Sequence, residues 1–159
     1  MEIRNVLYTT ALRKEKEALG AYSLALKIAQ DNGASLYIMH CLTPLGQLGE
    51  ELIKEYVSKE RVEEVKAEGV KKVYDKIRER IKRFHVDNLS GGVGEGVRIV
   101  PVVKQGKHSE EIRDAAIEYN IDIIVMGGGK RYNFTRYSRT VGNVLRESHV
   151  PVIVVPMKK

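Results

Sequence analysis

Long apolar runs are missing from this sequence, and none approaches the ~18 residues needed to span a bilayer. The opening Met1-Glu2-Ile3-Arg4 is a charged strand pattern, not the apolar segment of a secretion signal. Cysteine is nearly absent: Cys41 stands alone, which excludes an intramolecular disulfide and a cysteine-rich metal centre. The histidines His85, His108 and His149 are scattered at helix or loop ends, with no metal-ligand spacing. The expectation is a cytoplasmic protein with no membrane partner and no metal.

What is present is globular. The chain has 159 residues, 43% hydrophobic and 30% charged, enough for one domain with a full core. Its net charge of +6 raises the question of nucleic acid. Lys and Arg are interspersed with Glu through the middle of the chain, so a solvated basic surface is the simpler reading and nucleic acid the less favoured one.

Apolar periodicity divides the chain into alternating elements. Residues 3–9 read as a strand, 15–31 as a helix closed by Asn32-Gly33, and 36–42 as a second strand. A long helical pattern covers about 50–84, with Val62, Val65, Val70, Val73, Ile77, Ile81 and Phe84 as its apolar stripe and a bend or break expected at Gly69. A glycine-rich connection fills 85–97. Residues 98–104 form a third strand, placed at a sheet edge because Pro101 cannot donate to a ladder on one side. Gly106 turns the chain, and Ser109 is the expected cap of a helix closed by Asn120. Residues 122–126 form a fourth strand, about 140–148 a short helix, and 150–155 a fifth strand. This βαβαβαβαβ order implies a single-domain parallel sheet with helices on both faces, its long helical and Gly-rich insertion at about 50–97. Ligands of such sheets sit at the carboxyl ends of the strands.

The richest chemistry lies after the fourth strand. Gly127, Gly128 and Gly129 permit close backbone approach, Lys130, Arg131, Arg136 and Arg139 supply charge, and Ser138 and Thr140 supply hydroxyls before a helix start. That is a phosphate-binding pattern, though not a Walker A loop, because Arg131 follows Lys130 where Ser or Thr is required. Thr9 and Thr10, ending the first strand, can donate to a ligand or cap the turn. His40-Cys41 is a conceivable base–nucleophile pair, but neighbours on a strand point to opposite faces and no orienting acid is evident. Tyr132, Phe134 and Tyr137 sit among cations and suit loop packing better than base stacking.

Taken in order, these residues resemble the universal stress protein family over nearly the whole chain. Val6-Leu7-Tyr8-Thr9-Thr10 resembles its first strand, and Leu36-Tyr37-Ile38-Met39-His40 its second. Gly106 with Glu110, Glu111 and Ile112 resembles its G-x-P-x-x-x-I segment. Asp122-Ile123-Ile124-Val125-Met126-Gly127 resembles its D-L-I-V-M-G, and Val144-Leu145-Arg146 with Val150-Pro151-Val152-Ile153-Val154-Val155 its closing segment. The resemblance implies an adenine nucleotide alpha hydrolase-like sheet of order 3-2-1-4-5. It also implies a homodimer through the last strand, with Val150, Val152, Ile153, Val154 and Val155 at the interface. Pairing would cover an apolar edge.

The resemblance further implies a site for ATP or another adenine nucleotide, formed by Thr9, Thr10, Met126, Gly127, Gly128, Gly129, Lys130, Ser138, Arg139 and Thr140. Nucleotide binders of the family resemble G-2x-G-9x-G-[ST] after strand four, with an aspartate after strand one. Here the second glycine is Lys130, the last pair is Ser138-Arg139 or Thr140-Val141 according to the alignment, and the aspartate is Ala11. The expectation is a regulatory stress-response module with a degenerate nucleotide site and no catalytic residue. The alternatives are slow ATP hydrolysis or phosphoryl transfer, and, less favoured, a basic nucleic-acid surface.

Overall fold

The computed structural model describes residues 1–10, 19–42, 59–87, 95–128 and 138–156, excepting the side chains of residues 59–66 and 70. Five strands follow one another with helices between: β1 (Asn5–Thr9), α1 (Leu19–Asn32), β2 (Ser35–Leu42), α2 (Lys59–Asp87), β3 (Ile99–Gln105), α3 (His108–Glu118), β4 (Ile123–Gly127), α4 (Arg139–Glu147) and β5 (Val152–Val155). They form one parallel sheet of order β3-β2-β1-β4-β5. Pro101 therefore lies on an edge strand, opposite Ile38, as its missing N–H requires.

Both faces of the sheet are covered, and the two-residue strand period decides which side chain goes where. Val6, Tyr8, Leu36, Ile38, Ile123 and Val125 face α1 and α2. Leu7, Met39, Ile124 and Met126 face α3 and α4. Consecutive apolar residues on the central strands are thus explained by double burial, the mark of a parallel sheet. The start of β1 is held by Asp122, whose Oδ2 accepts from the Arg4 N–H (2.8 Å) and the Asn5 N–H (2.9 Å).

The helix ends follow the sequence signals in part. Gly33 (φ +62°) and Asn120 (φ +50°) occupy the left-handed positions that stop α1 and α3. Ser109 is not the cap of α3. Lys107 occupies that position without a side-chain bond, and Ser109 lies inside the first turn, 2% exposed with its hydroxyl unpartnered among the described residues. The short connection from Gly106 starts the helix early enough that Ser109 turns inward. Nor does α2 break at Gly69: the helix runs through it, and nothing within 4 Å crowds the glycine. Of the expected stripe, Ile77 and Ile81 are buried and Phe84 packs against the core, but Val73 is 45% exposed. The side chains of Val62, Val65 and Val70 lie outside the described residues.

Candidate functional site

The sheet order reverses between β1 and β4: the chain winds outward from β1 through β2 to β3, then crosses to β4 and β5. The carboxyl ends of these two strands are therefore where sheets of this topology take their ligands. Thr9 closes β1 there, paired with Met39 on one side and Met126 on the other. By strand alternation Thr9 shares the face of Leu7, toward α3 and α4. Thr10 lies one step beyond.

Across from Thr9, Gly127 ends β4 opposite Val155. Gly128 continues the ladder, its N–H donating to the Val155 carbonyl at 2.9 Å. The Gly128 carbonyl accepts from the Ser138 N–H, also at 2.9 Å. The start of α4 is thus tied to the end of β4. Ser138 is the cap of α4, its hydroxyl accepting from the Val141 N–H at 3.3 Å. The Gly142 N–H reaches the Ser138 carbonyl at 3.1 Å. The N–H groups of Arg139 and Thr140 belong to the first turn, where helix geometry provides no intrahelical acceptor. Arg139 is exposed and Thr140 half-buried.

The structure thus brings Thr9, Thr10, Met126, Gly127, Gly128, Ser138, Arg139 and Thr140 to one edge of the sheet. Gly129, Lys130, Arg131, Arg136 and Ala11, with Tyr132, Phe134 and Tyr137, lie outside the described residues. Met126 is buried under α4, so it shapes the floor and does not face solvent.

Thr10 is fully engaged. Its N–H donates to the Met39 carbonyl at 2.9 Å, its own carbonyl lies 2.9 Å from His40 Nδ1, and its side chain is hydrogen-bonded with the Tyr8 phenol. Burial holds the Tyr8 pKa above its ordinary value. This role of His40 is not visible in the sequence, since it depends on which strand lies beside β2. Cys41 points to the opposite face, toward Val102 and α3. Its thiol meets the Gly106 carbonyl at 3.6 Å, and burial, reinforced by Glu111, pushes its pKa up to about 11. A thiol so held keeps its proton at neutral pH, and the two side chains do not form a base–nucleophile pair.

No group of three His, Cys, Asp or Glu side chains among the described residues could hold a metal ion. No helix among the described residues is long and apolar enough to cross a membrane.

Comparison with known proteins identifies the family and the fold. The sequence model of the universal stress protein family matches residues 2–156, and the chain belongs to that family. Among solved structures, a universal stress protein in complex with cAMP superposes with a TM-score of 0.63 at 19% identity, over 99% of this chain and 100% of that one. UspA from Lactobacillus plantarum gives 0.60 at 17% identity, over 98% and 99%. The Archaeoglobus fulgidus universal stress protein in complex with dAMP gives 0.57 at 19%, over 99% and 100%. At these identities the likeness shows the fold. A search of curated proteins finds no match.

Proposed function

We propose that this chain is a nucleotide-responsive regulatory module of the stress response, acting as a homodimer and holding an adenine nucleotide weakly at the β1–β4 edge. The observation that carries the reading is the bond from the Ser138 N–H to the Gly128 carbonyl, which holds the start of α4 against the end of β4. A phosphate there meets the Arg139 and Thr140 N–H groups, the positive end of the α4 dipole and the Arg139 side chain. Gly127 and Gly128 place no side chain between the end of β4 and the start of α4, and by strand alternation Thr9 lies on the α4 side of the sheet. Two similar proteins are described as complexes with cAMP and dAMP, which supports a monophosphate nucleoside as the ligand class. With Ala11 in place of an aspartate, a carboxylate acceptor for the nucleoside is lost, and affinity should be low.

Homodimerisation is proposed through β5. It is an edge strand, its four residues are half-buried, and an open apolar edge favours pairing. The nucleotide reading is tested by thermal unfolding and calorimetric titration with AMP, cAMP and ATP. A rise in Tm that grows with ligand concentration is expected. No shift and no heat at millimolar ligand would count against it.

A further inference from the structure

We propose that His40 is a positioning residue for the nucleotide site: its ring locks the end of β1 at Thr10 and so holds Thr9 in place beside β4. This rests on the nucleotide reading given above. The last residue pair shared by β1 and its two neighbours is Thr9, with Met39 and Met126. Beyond it β4 no longer pairs with the strand, and Thr10 is held from the β2 side. The Met39 carbonyl takes its N–H at 2.9 Å, and His40 Nδ1 lies 2.9 Å from its carbonyl. A carbonyl oxygen can only accept, so Nδ1 carries the hydrogen and donates it. The Tyr8 phenol engages the Thr10 side chain, which leaves Thr10 held through backbone and side chain together.

This explains the histidine better than catalysis does. His40 sits beside Cys41, but the thiol lies on the other face and is bonded to Gly106. The ring instead extends the β1–β2 contact one residue past the end of β1, at the strand end that borders the proposed ligand site. A strand end that frays would move Thr9 and Thr10 out of register with the end of β4.

The test uses His40→Phe, which keeps a ring without a donor, and His40→Asn, whose amide nitrogen can stand where Nδ1 stands. AMP affinity is measured by titration calorimetry, and Thr10 amide exchange by NMR without ligand. His40→Phe should weaken AMP binding at least tenfold and lower Thr10 protection at least tenfold, while Val6 and Leu7 in the same strand keep theirs. His40→Asn should restore most of both. Unchanged affinity or unchanged Thr10 protection in His40→Phe would overturn the assignment. If the unaltered protein binds no AMP, the nucleotide reading fails, and the clamp stands or falls on Thr10 protection alone. Should His40→Phe not fold, His40→Leu takes its place with the same readings.

Discussion

Single residues in this chain carry consequences that differ from their sequence signals. Gly106 reads as an ordinary turn, yet it sits at φ +147°, and a Cβ there would come 2.7 Å from Glu111 Oε1. The Glu111 side chain can move aside, but the backbone angle cannot be kept cheaply by any other residue. Gly106→Ala should therefore cost about 1–3 kcal/mol in urea unfolding. Ser109 is the opposite case. Its hydroxyl is buried without a partner among the described residues, so Ser109→Ala removes an unmet polar group and should leave stability unchanged or raise it by up to about 1 kcal/mol in the same assay. A clear loss would mean that the hydroxyl has a partner. The cap expected at Ser109 failed because a Ser-x-x signal does not say which turn residue starts the helix. The clamp on Thr10 was hidden for a related reason: a histidine in a strand reveals its partner only once the neighbouring strand is known.

At the scale of elements, the alternation of strands and helices, the edge position of Pro101 and the stops at Gly33 and Asn120 were legible, because each rests on local backbone chemistry. The continuity of α2 through Gly69 was not, since one glycine weakens a helix by only about 1 kcal/mol and long flanking turns absorb that. The docking of α2 was invisible too. Its last turn places Phe84 edge-on to Tyr22 at 5.0 Å between ring centres, with the Tyr22 hydroxyl bonded to His85 Nδ1. Tyr22 also stacks edge-on against Tyr8 at 5.7 Å, which links α2 to the strand that ends at the site. Burial lowers the His85 pKa and raises that of Tyr22, so at neutral pH the phenol donates to an unprotonated ring. A folded pKa below the unfolded value near 6.5 favours the neutral ring in the folded state. The contribution is complete above that unfolded value and is lost as pH falls through the lower folded one. Urea unfolding at pH 7 and pH 5 should show a larger acid loss for the native chain than for His85→Gln. Equal losses in the two proteins would place the acid sensitivity elsewhere.

For the whole molecule, the sequence pointed to the sheet and to its ligand edge more clearly than to the ligand. The match of Asp122 through Gly127 reflects structural needs: Asp122 ties β1 to β4 at one end, and Gly127-Gly128 leads to α4 at the other. Those residues belong to the fold, whereas in the proposed nucleotide reading affinity would depend on positions such as Ala11, which has no carboxylate. Assembly belongs to this scale as well. The Pro151 and Val155 carbonyls both bond to the β4 side, so in a parallel ladder the backbone groups of Val152 and Val154 face the open edge. Val154→Pro removes one outward N–H without touching the β4 ladder. It should convert a dimer to a monomer at micromolar concentration by light scattering, with the far-ultraviolet circular dichroism kept; a variant that remains dimeric would move the interface off β5.

The most direct measurement is an NMR titration of the unaltered protein with AMP, following every assigned backbone amide. Binding at the β1–β4 edge predicts saturable shifts centred on Thr9, Thr10, Gly127, Gly128, Ser138, Arg139 and Thr140, with the far ends of the strands unmoved. Shifts that never appear at millimolar AMP, or that centre on another surface, would contradict the assignment of this edge as a nucleotide site.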